Sequence, residues 1–212
     1  METIKEFNPE LLPSSSFTVV LAKRRGGKST LVADLIKKLY KKNKINLVYL
    51  FSGTDADFDM IDKKHRFNDI SKLDEIVERY RAMNEFNKVA DNKDKFKVKT
   101  MIILDDLLLK LKSKDFKIIE QLAVNGRHVA YPPLSLHICI LAQNLTSIPR
   151  LVRNNTDIIF LNNISSMREL ELIMDENMYV LDSSRQGKAI ARTLYNQIVT
   201  HKDFCFLVIN NY

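Results

Sequence analysis

Phe17-Thr-Val-Val-Leu-Ala22-Lys-Arg-Arg-Gly26-Gly27-Lys28-Ser29-Thr30 reads as a short apolar strand that runs directly into a phosphate-binding loop. In such a loop successive backbone N–H groups wrap the phosphates, the lysine (Lys28) reaches the β/γ oxygens, and the hydroxyl after it (Ser29) completes a magnesium shell. Downstream, Leu31, Val32, Leu35, Ile36 and Leu39 recur at helical spacing, so the loop opens an amphipathic helix whose positive end faces the anion. The pattern departs from G-x-x-x-x-G-K-[ST] only at its first glycine, where Ala22 stands. A small residue there still permits a tight turn, at some steric cost. The stretch Ala22, Lys23, Arg24, Arg25, Gly26, Gly27, Lys28, Ser29 and Thr30 is therefore expected to hold a nucleoside triphosphate, ATP, together with Mg²⁺.

Working outward, Ile45-Asn-Leu-Val-Tyr-Leu-Phe51 is a second strand, stopped by Ser52-Gly53-Thr54-Asp55. Leu73, Ile76, Val77, Tyr80, Met83 and Phe86 mark one buried helix face. Met101-Ile-Ile-Leu104 is a third strand, and Phe116, Ile119 and Leu122 mark another helix. A loop is expected at Asn125-Gly126 and Pro132-Pro133. Leu136-His-Ile-Cys-Ile-Leu-Ala142, apolar almost throughout, is a strand buried on both faces, and Asp157 to Leu161 is a fifth. Ser166 and Glu169 have capping-box spacing before another helix. Ile190, Leu194 and Ile198 mark a further helix, and Phe204 to Ile209 closes the chain as a strand, with residues 176–188 left irregular. Strands alternating with helices predict an α/β fold: a mostly parallel sheet covered on both faces, with its ligand at the carboxyl ends of the strands. Residues 1–16 form a polar lead-in, and 17–212 a single P-loop domain.

Two further segments supply the chemistry. Met101-Ile-Ile-Leu-Asp105-Asp106 has the form of a Walker B strand, with Asp105 as the metal carboxylate and Asp106 placed to orient an attacking water. Gln143 follows the next apolar strand and is expected at the same sheet edge, able to polarise water or sense the γ-phosphate. Arg127, on the expected loop Asn125-Gly-Arg-His128, could reach a phosphate held by a neighbouring subunit, where a guanidinium stabilises transition-state charge. Arg150 and Arg153 compete for that role. Lys23, Arg24 and Arg25 make the loop unusually basic.

Composition narrows the classes. The chain has 212 residues, 45% of them hydrophobic, enough for a core without disulfide or metal staples. No apolar run approaches the roughly 20 residues of a membrane span, and Met1-Glu2 does not begin a signal peptide, so an intracellular soluble protein is expected. Cys139 and Cys205 lie in apolar runs without metal-ligand spacing and read as reduced thiols. The formal net charge of +7 makes an acidic polymer a plausible partner. Lysine runs at 93–99 and 110–117 are candidates for tracking a nucleic-acid backbone.

Taken together, Ala22-Lys-Arg-Arg-Gly-Gly-Lys-Ser29, Phe51-Ser-Gly-Thr54, Leu104-Asp-Asp106, Asn125-Gly-Arg-His128 and Leu141-Ala-Gln143 resemble the poxvirus-type genome-packaging ATPases of large DNA viruses and virophages, in the FtsK/HerA branch of P-loop motors. The resemblance spans about Phe17 to Asp157. It implies a RecA-like (ASCE) three-layer sandwich and a homo-oligomeric ring, pentamer or hexamer, that pumps double-stranded DNA into a preformed capsid. A capsid or portal partner is implied too, with work sited in the host cytoplasm or viral factory and in the virion. On it Lys28 and Ser29 match Walker A, Asp105 and Asp106 Walker B, Gln143 the polar sensor and Arg127 the trans-acting finger. Many motors in the wider superfamily carry glutamate where Asp106 stands, which shortens the reach of this carboxylate. Two rival readings are a small-molecule P-loop kinase and a nucleotide-gated DNA-binding or scaffold protein. The kinase needs an arginine-rich lid, for which Ser184-Arg185-Gln-Gly-Lys188 is a poor match. The scaffold leads one to expect a damaged motif.

Overall fold

The computed structural model describes residues 6–54, 58–107, 111, 113–164, 166–177, 185–201 and 205–211. Its frame is one seven-stranded sheet: β1 (Ser16–Ala22), β2 (Leu47–Ser52), β3 (Arg66–Phe67), β4 (Lys99–Asp105), β5 (Ser135–Ala142), β6 (Ile158–Asn162) and β7 (Leu207–Asn210), ordered β3-β2-β4-β5-β1-β6-β7. Every pairing is parallel except β6 with β7. β1, β5 and β6 are buried along their whole length, as their unbroken apolar runs require of strands covered on both faces.

Alternate residues of each strand feed two cores. Val20, Met101, Ile103, Cys139 and Leu141 pack with α1 (Lys28–Lys41) through Val32, Leu35, Ile36 and Leu39. Val19, Leu21, Ile102, Leu104, Ile138 and Ile140 face the other way. They pack on α2 (Ser71–Val89), α3 (Ser113–Val129), α4 (Arg150–Asn154), α5 (Met167–Asn177) and α6 (Arg185–His201). The result is the expected three layers. Burying each aliphatic side chain of α1 contributes roughly 1.5–3 kcal/mol, which holds the helix and thereby its first turn against the sheet. The lead-in docks as well: Phe7 meets Phe160 edge-on at 5.2 Å, and Asn8 caps a single helical turn at Pro9–Leu11.

Several local expectations change. Asn125 and Gly126 lie inside α3, which continues to Val129. The two-residue strand β3 and the short α4 had no sequence signal. Residues 176–177 belong to α5 and 185–188 to α6, while 178–184 fall outside the described residues. The last strand is antiparallel and starts at Leu207. Ser166 does cap α5, accepting the Glu169 amide at 3.1 Å. Among the described residues no helix is long and apolar enough to cross a membrane.

Candidate active site

Because β1, β2, β4, β5 and β6 are parallel, their carboxyl ends share one edge, and the sequence motifs sit at those ends. Leu21 pairs with both Ala142 and Leu161, and Asp105 pairs with Ser52 on one side and Leu141 on the other. The loop after β1, Asp105 at the end of β4 with Asp106 just beyond it, and Gln143 after β5 are thereby brought together, with β5 between the phosphate-loop strand and the carboxylate strand.

The phosphate loop is shaped by sterics that its sequence satisfies. The Gly26 amide donates to the Lys23 carbonyl at 3.0 Å, and the Lys23 amide to Asn163 O at 3.4 Å. A Cβ on Gly26 would lie 2.8 Å from the Ala22 Cβ and 2.9 Å from Lys23 O, so only glycine fits. Gly27 turns the chain into α1 at φ 80°, a left-handed conformation that suits glycine. Ala22, in contrast, ends β1 outside the left-handed region, and the strained φ of 63° falls on Arg25. The motif's first position therefore needs a small residue here and not glycine's freedom. Among the described residues no side chain caps α1, and its first turn carries no acidic residue, which leaves its N–H groups directed at the loop.

Lys28 folds back: its ammonium donates to Ala22 O at 2.8 Å and Lys23 O at 3.3 Å. Burial holds its pKa below the ordinary lysine value, opposed by the negative charges of Asp106 and Asp105. Asp105 is 7% exposed. Burial, reinforced by Asp106 and opposed by Lys28, pushes its carboxyl up to about 6. The mutual influence of these three groups places lysine and carboxylates on one side of the molecule. Asp106 is exposed and turns at φ 49°, which directs the chain out of the sheet immediately after the buried acid. Gln143 is half-buried, and one residue beyond the Leu21–Ala142 pair it stands level with Ala22. Ser29 is half-buried, and Lys23, Arg24, Arg25 and Thr30 are exposed.

Arg127 does not join this group. It lies in the last turn of α3, not on a loop, and its guanidinium pairs with Asp157. Asp157 also accepts the Phe17 amide at 2.7 Å, at the amino end of β1. The seven residues of β1 span about 20 Å at roughly 3.3 Å each, so Arg127 sits at the edge opposite the phosphate loop. Arg153 is committed as well, with Nε and Nη2 on the two Glu176 oxygens at 2.9 and 2.8 Å and Nη1 on Ile148 O at 3.0 Å. Arg150 is exposed and makes no ion pair among the described residues.

Two neighbours of the site escaped the sequence reading, and a third, Ser52, carried no site role in it. Ser52 is buried beside Asp105 across β2–β4. Asn162, 1% exposed and level with Ala22, has an unpartnered Oδ1, and Asn163 supplies the carbonyl that Lys23 meets from a φ of 45°. The Asn-Asn pair closing an apolar run was the available signal, since asparagine tolerates left-handed turns.

Comparison with solved structures gives the same architecture. The genome-packaging NTPase B204 of Sulfolobus turreted icosahedral virus 2, in complex with ATP-gammaS, superposes with a TM-score of 0.58 at 16% identity, covering 94% of this chain and 93% of that one. B204 of Sulfolobus turreted icosahedral virus, described as its DNA-packaging ATPase, gives 0.55 at 17% identity, covering 93% of each chain. The pCW3 conjugation coupling protein TcpA, with ATPgS, gives 0.57 at 14% identity over 76% of this chain and 52% of its own. These neighbours are P-loop NTPases, and the likeness is one of fold. Among curated protein sequences none matches this chain. The family model described as Poxvirus A32 protein matches residues 4–209, well beyond the span that the motifs alone suggested, and the chain belongs to that family.

Proposed function

We propose that this chain is an ATP-hydrolysing motor that moves double-stranded viral DNA into a preformed capsid, working as a homo-oligomeric ring with catalytic sites completed at subunit interfaces. The observation that carries the reading is the meeting of Lys28, Asp105, Asp106 and Gln143 at one sheet edge, in a chain whose family model describes a poxvirus A32 protein. Work in the cytoplasm or viral factory of an infected cell, and in the virion, follows from the same reading.

The residues fit magnesium and a triphosphate. Asp105 is a buried carboxylate whose charge is poorly compensated, Lys28 is held among the described residues only by the Ala22 and Lys23 carbonyls, and the Gly26 cradle admits no Cβ. Ser29 and Asp105 would supply two protein oxygens to Mg²⁺, which ordinarily retains water and phosphate ligands besides. The bound ion would neutralise charge on the β and γ phosphates. Lys28 exchanges the Ala22 and Lys23 carbonyls for phosphate oxygens, and the amides from Gly27 to Ser29 hold the anion at the start of α1. Asp106 accepts the proton of the attacking water, and Gln143, one strand away, orients that water. The trans-acting cation is assigned to Arg150, the one of the three candidates without an ion pair among the described residues.

ATP turnover measured with and without duplex DNA tests the reading: stimulation by DNA supports the motor. Phosphate transfer to a nucleoside monophosphate would establish a kinase instead, and tight ATP binding without turnover a nucleotide-gated scaffold.

A further inference from the structure

The amino edge of the sheet, remote from the nucleotide, carries a cationic surface that the ATPase chemistry does not use. α1 ends there at Lys41, and the stretch joining α2 to β4 brings Lys93, Lys95, Lys97 and Lys99 to the same edge. The two segments are fastened together by Asn46. Its amide group donates to Lys97 O at 3.1 Å, its Oδ1 accepts the Lys99 amide at 2.9 Å, and its own backbone N–H donates to Lys99 O at 2.8 Å. Asn87 holds the other side in the same way, donating to Phe96 O at 3.0 Å and accepting the Phe96 amide at 2.8 Å. Phe86 packs on Phe96 with ring centroids 5.1 Å apart. The backbone from Phe96 to Lys99 is thus held on both flanks, with Lys41, Lys93 and Lys97 exposed and Lys95 half-buried.

Several cations elsewhere on the surface are answered, while others, such as Lys37, Lys63, Arg79 and Arg168, make no ion pair among the described residues. Lys38, Lys64, Lys72, Arg81 and Lys88 each pair with a carboxylate three or four residues away or nearer. Lys41, Lys93, Lys95 and Lys97 have no ion pair among the described residues. The carboxylates nearby are Asp91 and Asp94 in the same stretch, Glu6, which lines one cavity with Lys41, and Glu10, which is already taken by Lys42. A set of ammonium groups without ion pairs suits a regularly spaced polyanion, because phosphate contacts need cations without base-specific geometry.

We propose that this edge, through Lys41, Lys93, Lys95 and Lys97, is a binding surface for the phosphate backbone of duplex DNA. The proposal rests on the motor reading and gives its polymer a place on the subunit.

The test is a variant carrying Lys41→Ala, Lys93→Ala, Lys95→Ala and Lys97→Ala, compared with one carrying Lys63→Ala, Lys64→Ala, Lys72→Ala and Lys117→Ala, which removes the same charge elsewhere. Binding to a fluorescent duplex is followed by anisotropy across a salt series. The edge variant should lose at least about tenfold in affinity at low salt, and its salt slope should fall by roughly 0.9 for each lysine that meets a phosphate. The control should stay within about twofold of wild type, and DNA-independent ATP turnover should be unchanged in both. Equal losses in the two variants, or full affinity in the edge variant, overturn the proposal while leaving the motor reading intact. Wild-type protein that hydrolyses ATP but binds no duplex overturns both. An edge variant that keeps duplex affinity but loses binding to polyglutamate assigns the edge to an acidic protein and overturns the DNA assignment.

Discussion

At the amino ends of the strands, beneath the surface lysines, the polar side chains serve the chain itself. The Tyr80 hydroxyl donates to Thr100 Oγ1 at 2.6 Å, Asn46 and Asn87 brace the backbone before β4, and Asp157 joins the Phe17 amide to Arg127. At the carboxyl ends of the same strands the backbone passes through positive φ at Arg25, Gly27, Asp106 and Asn163, a carboxylate is buried, and a lysine rests on loop carbonyls. The interior of one edge is closed by internal hydrogen bonds, with one positive φ at Asn43 and lysines only on its surface, and the other stores strain and charge at the nucleotide site that a ligand can relieve. The contrast teaches where substitution should cost stability and where it should cost chemistry.

Six substitutions, four at the carboxyl edge and two at the amino edge, break or sharpen that contrast. Lys28→Ala should have the largest effect, lowering turnover by roughly 10²–10³-fold or more through loss of its charge on the phosphates, with an unchanged melting temperature in the absence of nucleotide. Asp106→Asn should lower turnover by about 10²-fold while nucleotide affinity, read by calorimetry, stays near that of wild type. At the opposite edge Asp157→Ala strands a buried amide and should cost about 1–3 kcal/mol of stability by denaturant melting. Arg127→Ala should cost less, since its side chain is 69% exposed, and turnover per folded molecule should not change in either.

The pH dependence of stability separates the edges further. The folded Asp105 carboxyl keeps its proton up to about 6, against an ordinary 3.8, so between those values the folded state binds more protons than the unfolded one. Stability contributed by this group therefore falls as pH rises from about 4 through 6, and the deficit persists above. Metal-free Asp105→Asn should be more stable than wild type at pH 7, on the order of 2 kcal/mol, and the two should converge near pH 4. The smallest effect belongs to Ala22→Gly: nucleotide affinity within about threefold of wild type, and about 1 kcal/mol of stability lost with the buried methyl.

The sequence made the carboxyl edge legible because each part there follows an unbroken apolar strand, and parallel strands deliver their ends to one side. Lys28, Ser29, Asp105, Asp106 and Gln143 could be placed from that rule alone. The amino edge could not, because its form depends on where helices stop. Asn125-Gly126 reads locally as a turn, yet α3 continues through it because Leu122 and Val129 are both buried against the core, and a Cβ at Gly126 would meet nothing within 4 Å. That continuation carries Arg127 to Asp157. The two-residue β3 and the Asn162 and Asn163 contacts depend on long-range register, which no local pattern encodes.

The most direct measurement of the central claim, that Lys28 and Asp105 close on one Mg-triphosphate, is calorimetric titration of Mg-ATP-gammaS into folded protein and into folded Lys28→Ala. A single saturating heat in the wild type, absent or strongly weakened in the variant, is the expected result. No heat in well-folded wild type, or identical curves for the two proteins, would contradict the assignment of this edge as the nucleotide site.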